Sequence, residues 1–424
     1  MRLTAALAAA WMAAGSGALL AQEDEGPHIK VGGILDTRYV HTDDTRSWLD
    51  GGMGKLRYGT LNGGEADLFR LSQAALNVDG TLSEDFDVHV QVKVDAEPDN
   101  ALKRGKFGLV EAYALWKPDL SPSVRARVRA GLFFPPLSLE HPLAGWTIAY
   151  TITPSAVNAW VGEDIRTTGA EGSLVFKVKD NDITATGAVF GMNDPSSALL
   201  AWRGWAVHDR ITQTADELPF AALPIFRPGA LFGTSAPWSS PVREVDGRLG
   251  VYGAASWRWP SVLEARGLHY DSRAEPTAFD GRQYAWKTRF NNAGLRLELP
   301  GPVEALGQYL WGTSGMGAGT SGELLVDIKY QAYYGLLTAR AGRHRFTARY
   351  DHFEVEDRDR HRLDDPNQED GEAWTGAYLL ETGRHHRLAV EWLHVVSDRP
   401  ARALIGLPLH AEEDQFQASF RVLF

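Results

Sequence analysis

The sequence contains no cysteine, which excludes a disulfide-stapled scaffold and any thiolate metal centre. Beyond residue 21 it has no apolar run long enough for a membrane-spanning helix and no sustained 3.6-residue amphipathic repeat. Basic residues are also fewer than acidic residues. There are 43 Lys and Arg against 54 Asp and Glu, a formal net charge of −11, which argues against a nucleic-acid partner.

The first segment, 1–21, is predicted to be a cleavable signal peptide. Arg2 provides the positive start, an Ala- and Leu-rich run follows, and Ala21 is a small residue suited to cleavage. The acidic residues 23–25 do not supply the basic flank of a stop-transfer helix. We therefore expect export, with 22–424 as the mature chain.

Strict alternation of apolar and polar residues is the main structural signal, and it is clearest at 85–97. One face of that segment carries Phe86, Val88, Val90, Val92 and Val94, whereas the other carries Asp87, His89, Gln91, Lys93 and Asp95. Side chains point to opposite faces along a strand, so such a segment has an oily side and a wet side. Similar alternation recurs at 124–133, 245–259, 326–336, 344–351 and 413–424.

Connections of two lengths alternate along the chain. The short ones lie at 80–84, 118–123, 179–182, 260–261, 300–302, 340–343 and 382–386. The longer, polar ones lie at 42–66, 98–105, 135–163, 193–242, 274–280, 314–322, 357–371 and 399–411. This organisation predicts an all-β fold: a transmembrane antiparallel β-barrel of about 16 strands with short periplasmic turns and longer external loops.

The chain ends on an alternating strand whose apolar face includes Phe420, Val422 and the terminal Phe424. A closing strand must pair with the first strand, because hydrocarbon does not tolerate an unpaired edge. The terminal Phe resembles the assembly signal of outer-membrane β-barrels. It implies the barrel assembly machinery as a partner.

Charged residues on the polar faces are candidates to line the inside of the barrel. Arg125, Arg127 and Arg129 alternate with apolar neighbours, so they must face water if their strand spans lipid. A row of guanidinium groups would attract anions, unless acids on adjacent strands balance it. Further candidates on the polar faces are Lys93, Arg248, Lys329, Arg345 and Arg349.

Two long connections are candidate obstructions. Loop 135–163 contains Glu140, His141 and Trp146, and by its position in sixteen-strand porins we expect it to fold inward and narrow a pore. Loop 193–242 is the longest and is rich in aromatic residues, which must pack against another protein surface. It could cap the pore, latch a neighbouring subunit or remain partly disordered.

Several segments resemble ligand-binding or catalytic motifs, but the residues around them do not support those functions. The glycine-rich run 317–322 is followed by a strand and not by a helix, so it cannot cradle a dinucleotide. The acidic loop 357–371 has calcium-like spacing but lacks the required glycine, and we interpret it as solvated. Ser138 and His141 lack an acyl-transfer framework. We assign no catalytic residue, no metal and no cofactor.

Two segments resemble the phosphate-selective porin O and P family. Residues 69–82, FRLSQAALNVDGTL, resemble its early strand and following turn, and residues 130–136, AGLFFPP, resemble its strand end before the third loop. Ser72, Gln73 and Ala75 stand where that family's early strand carries arginines. The resemblance implies an outer-membrane porin for phosphate-type anions.

The sequence thus predicts a bacterial outer-membrane porin that lets small hydrophilic or anionic solutes diffuse passively, without enzymatic activity. The expected surroundings are outer-membrane lipid and lipopolysaccharide, and analogy with sixteen-strand porins suggests a homotrimer. The alternative is a barrel plugged by loop 193–242 that acts as a receptor, an adhesin or a structural protein. A membrane-embedded hydrolase is a third hypothesis, but the sequence offers no nucleophile that converges with a base.

Overall fold

The computed structural model describes residues 26–43, 45–60, 63–94, 107–319, 322–361 and 364–424. The predicted signal peptide, 1–21, lies outside these residues, as does loop 98–105. Among the described residues, no helix is both long and apolar enough to cross a membrane.

The fold is all-β, and 16 antiparallel strands form one closed barrel, as predicted. The strands are β1 (His28–Thr42), β2 (Ala66–Ser83), β3 (Phe86–Val94), β4 (Phe107–Trp116), β5 (Val124–Phe133), β6 (Thr167–Val178), β7 (Asn181–Gly191), β8 (Gly250–Trp259), β9 (Leu263–Asp271), β10 (Arg289–Leu299), β11 (Val303–Met316), β12 (Val326–Ala341), β13 (His344–Asp357), β14 (Glu369–Glu381), β15 (His386–Asp398) and β16 (His410–Leu423). The described residues also form two short α-helices, α1 (Ala156–Asp164) and α2 (Ala198–Trp202).

Closure is made by antiparallel pairing of β1 with β16, from Ile34 opposite Leu423 to Thr42 opposite Gln415. Gly33 extends the pairing by exchanging two backbone hydrogen bonds with Phe424, at 2.8 and 3.2 Å between nitrogen and oxygen. Every other strand pairs with its sequence neighbours. The short turns therefore all lie at one end of the barrel, the short-turn end, and the long connections lie at the other, the long-loop end.

The outer wall is apolar where the sequence predicts it to be. On β3 the valines face outward, whereas Gln91 and Lys93 face inward and are buried. Large aromatic side chains lie on the outer face, with 37–49% of their surface exposed: Trp257, Trp311, Trp374 and Trp392. This placement is typical of the aromatic girdles of membrane barrels.

Strand β12 reverses its polarity along its length. Near the long-loop end, Ile328 and Tyr330 point inward and are buried, and Lys329 points outward. Nearer the short-turn end, Leu337 is on the outer face and Thr338 on the inner face. The strand has 16 residues, which at about 3.3 Å each and a tilt of about 40° spans about 40 Å, against an apolar band of about 25 Å. About 15 Å of the strand, at its long-loop end, would therefore extend beyond such a band.

The inside of the barrel is filled by two connections that fold into it from the long-loop end. The first inner segment is residues 134–166 and includes α1, every residue of which is buried. The second inner segment is residues 192–249 and includes α2. Trp160 of α1 makes edge contacts with Trp205 of the second segment and with Tyr330 of the wall, at 5.8 and 5.5 Å between ring centroids. The hydrophobic core thus lies within the lumen.

Candidate functional site

The three arginines of β5 lie on its inner face, because Ala126, Val128 and the other alternate residues point outward. Arg125, nearest the short-turn end, pairs with Asp119 at 2.6 Å. Arg129 pairs with Glu171 on the adjacent strand at 2.7 Å, and its other guanidinium nitrogen donates to the carbonyl oxygen of Phe134 at 2.9 Å. Arg125 and Arg129, the first and last arginines of this row, are therefore partly neutralised by acids.

Arg127, between them, has no side-chain hydrogen bond or ion pair among the described residues, and it is exposed. It lines a cavity of about 320 Å³ inside the barrel. The polar groups around this cavity are Arg129, Glu171, Ser173, Thr184, Thr186, Ser256 and Arg266. A neighbouring cavity of about 300 Å³ includes His89, Gln91, Glu111, His141 and Trp146 in its wall. This side of the lumen, between β3 and β9, is accordingly polar.

Arg266 is a cavity residue that the sequence did not single out, because the alternation at 262–273 is mixed. It lies on the inner face of β9, pairs with Glu264 and donates to the carbonyl oxygen of Ser138 at 2.7 Å. It therefore ties the first inner segment to the wall while placing a second cation beside Arg129.

Three other candidates also point inward, but two of them are buried against the inner segments. Lys93 is 1% exposed, and its Nζ lies 3.4 Å from the carbonyl oxygen of Ile211. Arg349 is 2% exposed and donates to the carbonyl oxygens of Thr153 and Pro154. Arg345 is half-buried beside Glu304. Lys93 and Arg349 thus hold inner segments in place and do not face water, contrary to the sequence prediction.

Two candidates do not lie in the lumen at all. Lys329 is on the outer face of β12, where it lies 3.3 Å from Glu356, because the polarity of this strand reverses. Arg248 precedes β8, is 56% exposed and pairs with Glu275 at 2.8 Å. The prediction that both residues line the pore is wrong.

The loop candidates take different roles within the first inner segment. Glu140 is fully buried and accepts hydrogen bonds from Ser155 and Asn158 at the start of α1, so it does not face a passage. His141 stacks on Trp146 at 3.9 Å between ring centroids, and both rings face the 300 Å³ cavity.

His141 also contacts Ser138, whose Oγ lies 2.7 Å from the imidazole Nδ1. The backbone N–H of Glu140 donates to the same Oγ, which makes this a local turn. Burial lowers the pKa of His141 to about 3, which disfavours it as a general base near neutral pH. The geometry does not build a hydrolase site here.

A buried ionic latch fastens the second inner segment to the closing seam. Asp209 lies 2.6 Å from Arg38 of β1 and 2.8 Å from Arg57. Arg38 also pairs with Asp36 at 3.0 Å, and Asp36 pairs with Arg421 of β16 at 2.6 Å. Burial opposes the charge on Asp209, but Arg38 and Arg57 outweigh it and hold the pKa of this carboxyl well below its usual range. No local sequence pattern predicts this latch, because its members are far apart in the chain.

The acidic loop 357–371, interpreted above as solvated, is instead largely buried. Asp365 accepts a hydrogen bond from Trp202 Nε1 at 3.1 Å, and Glu369 pairs with the buried Lys55. Its acids hold inner segments and neighbouring loops, so the calcium-like spacing has no ligand role in this geometry.

Three carboxylates at the long-loop end lie close enough to share a cation. Oxygens of Asp194, Glu244 and Asp246 lie within 4.8 Å of one another. Each carboxylate already accepts backbone hydrogen bonds, among them Asp194 from the N–H of Asp246 at 3.1 Å and Glu244 from the N–H of Gly247 at 2.8 Å. Burial raises the pKa of Asp194 to about 7. Backbone contacts account for this cluster without a metal.

Asp164, at the end of α1, predicts a pH dependence for the inner segments. Burial raises the pKa of Asp164 to about 7, despite hydrogen bonds from Ser197 N and Trp160 Nε1. The docked helix therefore holds a proton between about pH 4 and 7 that the undocked carboxyl releases, so docking weakens as pH rises through this window. We expect hydrogen exchange of the α1 amides, corrected for intrinsic rates, to increase from pH 5 to pH 8.

His208 has the opposite effect, since burial lowers the pKa of its imidazole and docking then strengthens as pH rises. The informative quantity is therefore the difference between the wild type and Asp164→Asn in the pH dependence of α1 amide exchange. The substitution should remove the rise in exchange; an identical pH dependence in both proteins would contradict the assignment.

Two residues of the proposed assembly signal lie on the outer face of β16, and the third, Phe424, directly follows this strand. Phe420 and Phe424 are 37% and 55% exposed, and Val422 lies between them. The ring of Phe424 lies over Gly33 of β1. The last side chain therefore covers the seam where the barrel closes.

No family model matches the chain, and no curated protein matches it. Several solved structures are similar to it over most of its length. The outer-membrane channel DcaP of Acinetobacter baumannii is 9% identical with a TM-score of 0.58, covering 95% of this chain and 99% of that one. The anion-selective porin from Comamonas acidovorans is 11% identical with a TM-score of 0.55, covering 94% and 100%. OmpF of Salmonella typhi, in complex with daunomycin, is 10% identical with a TM-score of 0.53, covering 94% and 98%. At these identities the likeness establishes that the chain has the fold of a porin-type barrel.

Proposed function

We propose that this protein is a passive channel of the bacterial outer membrane for small hydrophilic solutes. The supporting observation is the polar wall between β3 and β9, where cavities of about 320 and 300 Å³ lie inside a closed barrel whose outer face is apolar. Such an arrangement needs no bond-making chemistry, because selectivity follows from width and lining charge. Stable single-channel steps in a planar bilayer would support the proposal, and their absence at every voltage would contradict it.

The passage is proposed to be narrow. The first inner segment enters the lumen from the long-loop end and reaches Glu304 beside a short turn, to which Tyr150 donates a hydrogen bond at 3.3 Å. His141 and Trp146 lie at the edge of one cavity. A solute would pass along the β3–β9 side, since polar residues of the opposite wall, such as Arg349, are buried against the inner segments. We expect a conductance well below that of an unobstructed sixteen-strand barrel.

An anion preference is proposed from Arg127, the exposed cation of the β5 row. A unit charge about 7 Å from a passing ion in water-like surroundings contributes about 0.6 kcal/mol, or about threefold in local concentration. The same charge repels cations by the same factor, so Arg127→Gln should lower the anion-to-cation permeability ratio about sevenfold, measured as the reversal potential in a salt gradient.

The matched control is Lys329→Gln, which removes the same charge from the outer wall. It should leave the reversal potential unchanged. Equal shifts in the two variants would mean that net charge, and not the lining of the lumen, sets the selectivity.

A second candidate function is favoured by the packed interior: a barrel closed by its own loops that acts as a receptor, an adhesin or a structural protein. Its support is the aromatic core in which Trp160, Trp205 and Tyr330 meet inside the lumen. No conductance in the wild type, with conductance after release of the second inner segment, would favour this candidate over the open channel.

The remaining surroundings are proposed from the sequence and the fold. Segment 1–21 would direct export, and the barrel assembly machinery would recognise the exposed Phe424. The outer face would contact outer-membrane lipid and lipopolysaccharide, in a homotrimer of the kind formed by sixteen-strand porins. Native mass spectrometry in detergent gives the subunit number directly, and a monomer mass would contradict the trimer.

A further inference from the structure

An open groove of about 730 Å³ lies at the long-loop end of β8, β9 and β10. It is lined by Arg248, Leu249, Asp271, Arg273, Glu275, Lys287 and Arg289. Asp271 and Arg289 point away from the lumen, because their strand neighbours Tyr270 and Phe290 are fully buried inside the barrel. The groove is therefore on the outer wall and not part of the passage.

The groove carries more positive charge than its acids balance. Arg248 pairs with Glu275 at 2.8 Å, and Arg289 pairs with Asp271 at 2.9 Å. The side chains of Arg273 and Lys287 are exposed and have no hydrogen-bond or ion-pair partner within the described part of the chain. Two uncompensated cations thus face the same open space.

The groove adjoins apolar side chains of the outer wall on its β8 side, as a site at the boundary between lipid tails and head groups would. Leu249, on its margin, is 60% exposed, and the outward residues nearer the short-turn end include Val251 and Leu295. A lipid whose acyl chains lie along these apolar side chains would place its head group beside Arg273 and Lys287. Guanidinium and ammonium groups are the protein cations that bind phosphate most strongly.

We propose that this groove binds the phosphorylated head group of an outer-leaflet lipid of the lipopolysaccharide kind. The inference rests on the membrane placement proposed above, but not on conduction through the lumen. Arg273 and Lys287 contact the phosphate, and Leu249 contacts an acyl chain. The ion pairs of Arg248 and Arg289 hold the groove open from its two sides.

The test uses native mass spectrometry of the folded full chain in detergent, titrated with bisphosphorylated lipid A and with its dephosphorylated form. The wild type should bind the phosphorylated lipid preferentially. Each basic residue near an anionic head group is worth about fivefold in affinity, so Arg273→Gln with Lys287→Gln should weaken binding about 30-fold.

The control is Lys329→Gln with Arg358→Gln, which removes two exposed cations from the same end of the outer wall, each of them paired with an acid. It should leave lipid A binding unchanged. Equal losses in the two double variants, or equal binding of the dephosphorylated lipid, would overturn the proposal. Displacement of lipid A by millimolar inorganic phosphate would also overturn it, because the groove would then be a free-anion site.

Conductance separates this inference from the channel proposal. The Arg273 and Lys287 variants should retain wild-type conductance and reversal potential, because the groove lies outside the barrel. Loss of lipid binding with normal conductance supports the groove, whereas a non-conducting wild type that still binds lipid A contradicts only the channel.

Discussion

Replacing Asp209 by alanine is expected to release the second inner segment from the wall and to raise the single-channel conductance. In the folded chain this carboxylate holds two buried guanidinium groups, Arg38 on β1 and Arg57 in the following loop, at 2.6 and 2.8 Å. Its removal leaves both cations buried with less compensating charge. Breaking a buried ion pair by removing one partner costs about 3–5 kcal/mol.

That cost falls on docking of the segment and not on the barrel itself. Arg38 keeps its pairing with Asp36 within β1, and the strand ladder between β1 and β16 involves no side chain. The urea concentration at the midpoint of barrel unfolding should accordingly change little. Protease cleavage between residues 203 and 216 should become at least tenfold faster, because the segment spends more time undocked.

Asp216→Ala is the matched control. Asp216 also forms a buried ion pair, at 2.5 Å, but its partner Arg210 belongs to the same segment. The control loses comparable charge pairing without cutting a link to the wall, so its conductance should stay at the wild-type level. If Asp216→Ala opened the channel as much as Asp209→Ala, general loosening of the loop and not the latch would be the cause.

The barrel could be predicted from sequence because its signal is local. Alternation at residues such as Val88, His89 and Val90 depends only on which side of one strand meets lipid, and turn residues mark each strand end. Arg127 could be assigned to the inner face by the same argument, since Ala126 and Val128 take the outer one.

The interior could not be predicted in the same way, because its contacts join distant parts of the chain. The pairing of Arg38 with Asp209 spans 171 residues, and neither residue stands out in its own segment. Lys93 and Arg349 satisfy the alternation rule, yet each is covered by a folded-in connection that the rule does not describe. Inward-facing polar residues therefore divide into lining and anchoring groups only when the loops are placed.

Lys329 shows a second limit of pattern reasoning. The alternation around it is real, but its apolar side, with Ile328 and Tyr330, faces the packed interior and not lipid. A strand longer than the apolar band meets two environments, so the same pattern has opposite meanings at its two ends. The length of the strand, 16 residues, is more than the apolar band requires and is the structural sign of this second environment.

Substituting Gly33 by valine is expected to prevent proper closure of the barrel. A Cβ at this position would lie 2.7 Å from the carbonyl oxygen of Ala75 and would also collide with the ring of Phe424. The ring could rotate away, but the backbone oxygen of the neighbouring strand cannot. Overpacking of this kind costs about 1–3 kcal/mol, and here it falls on the two hydrogen bonds that join Gly33 to Phe424.

Gly376→Val distinguishes this clash from a general effect of valine in a strand. Gly376 also lies on the outer face of a strand, β14, and a Cβ there would meet nothing within 4 Å. The control should fold at least as well as the wild type, since β-branched residues favour strands. The folded fraction is measured by heat-modifiable migration in SDS gels after refolding into detergent, and it should fall severalfold for Gly33→Val alone. Equal folding of the two variants would mean that contact between the terminal phenylalanine and the first strand does not limit closure, and the seam would have to be held by the ionic pairs of Asp36 and Arg421 instead.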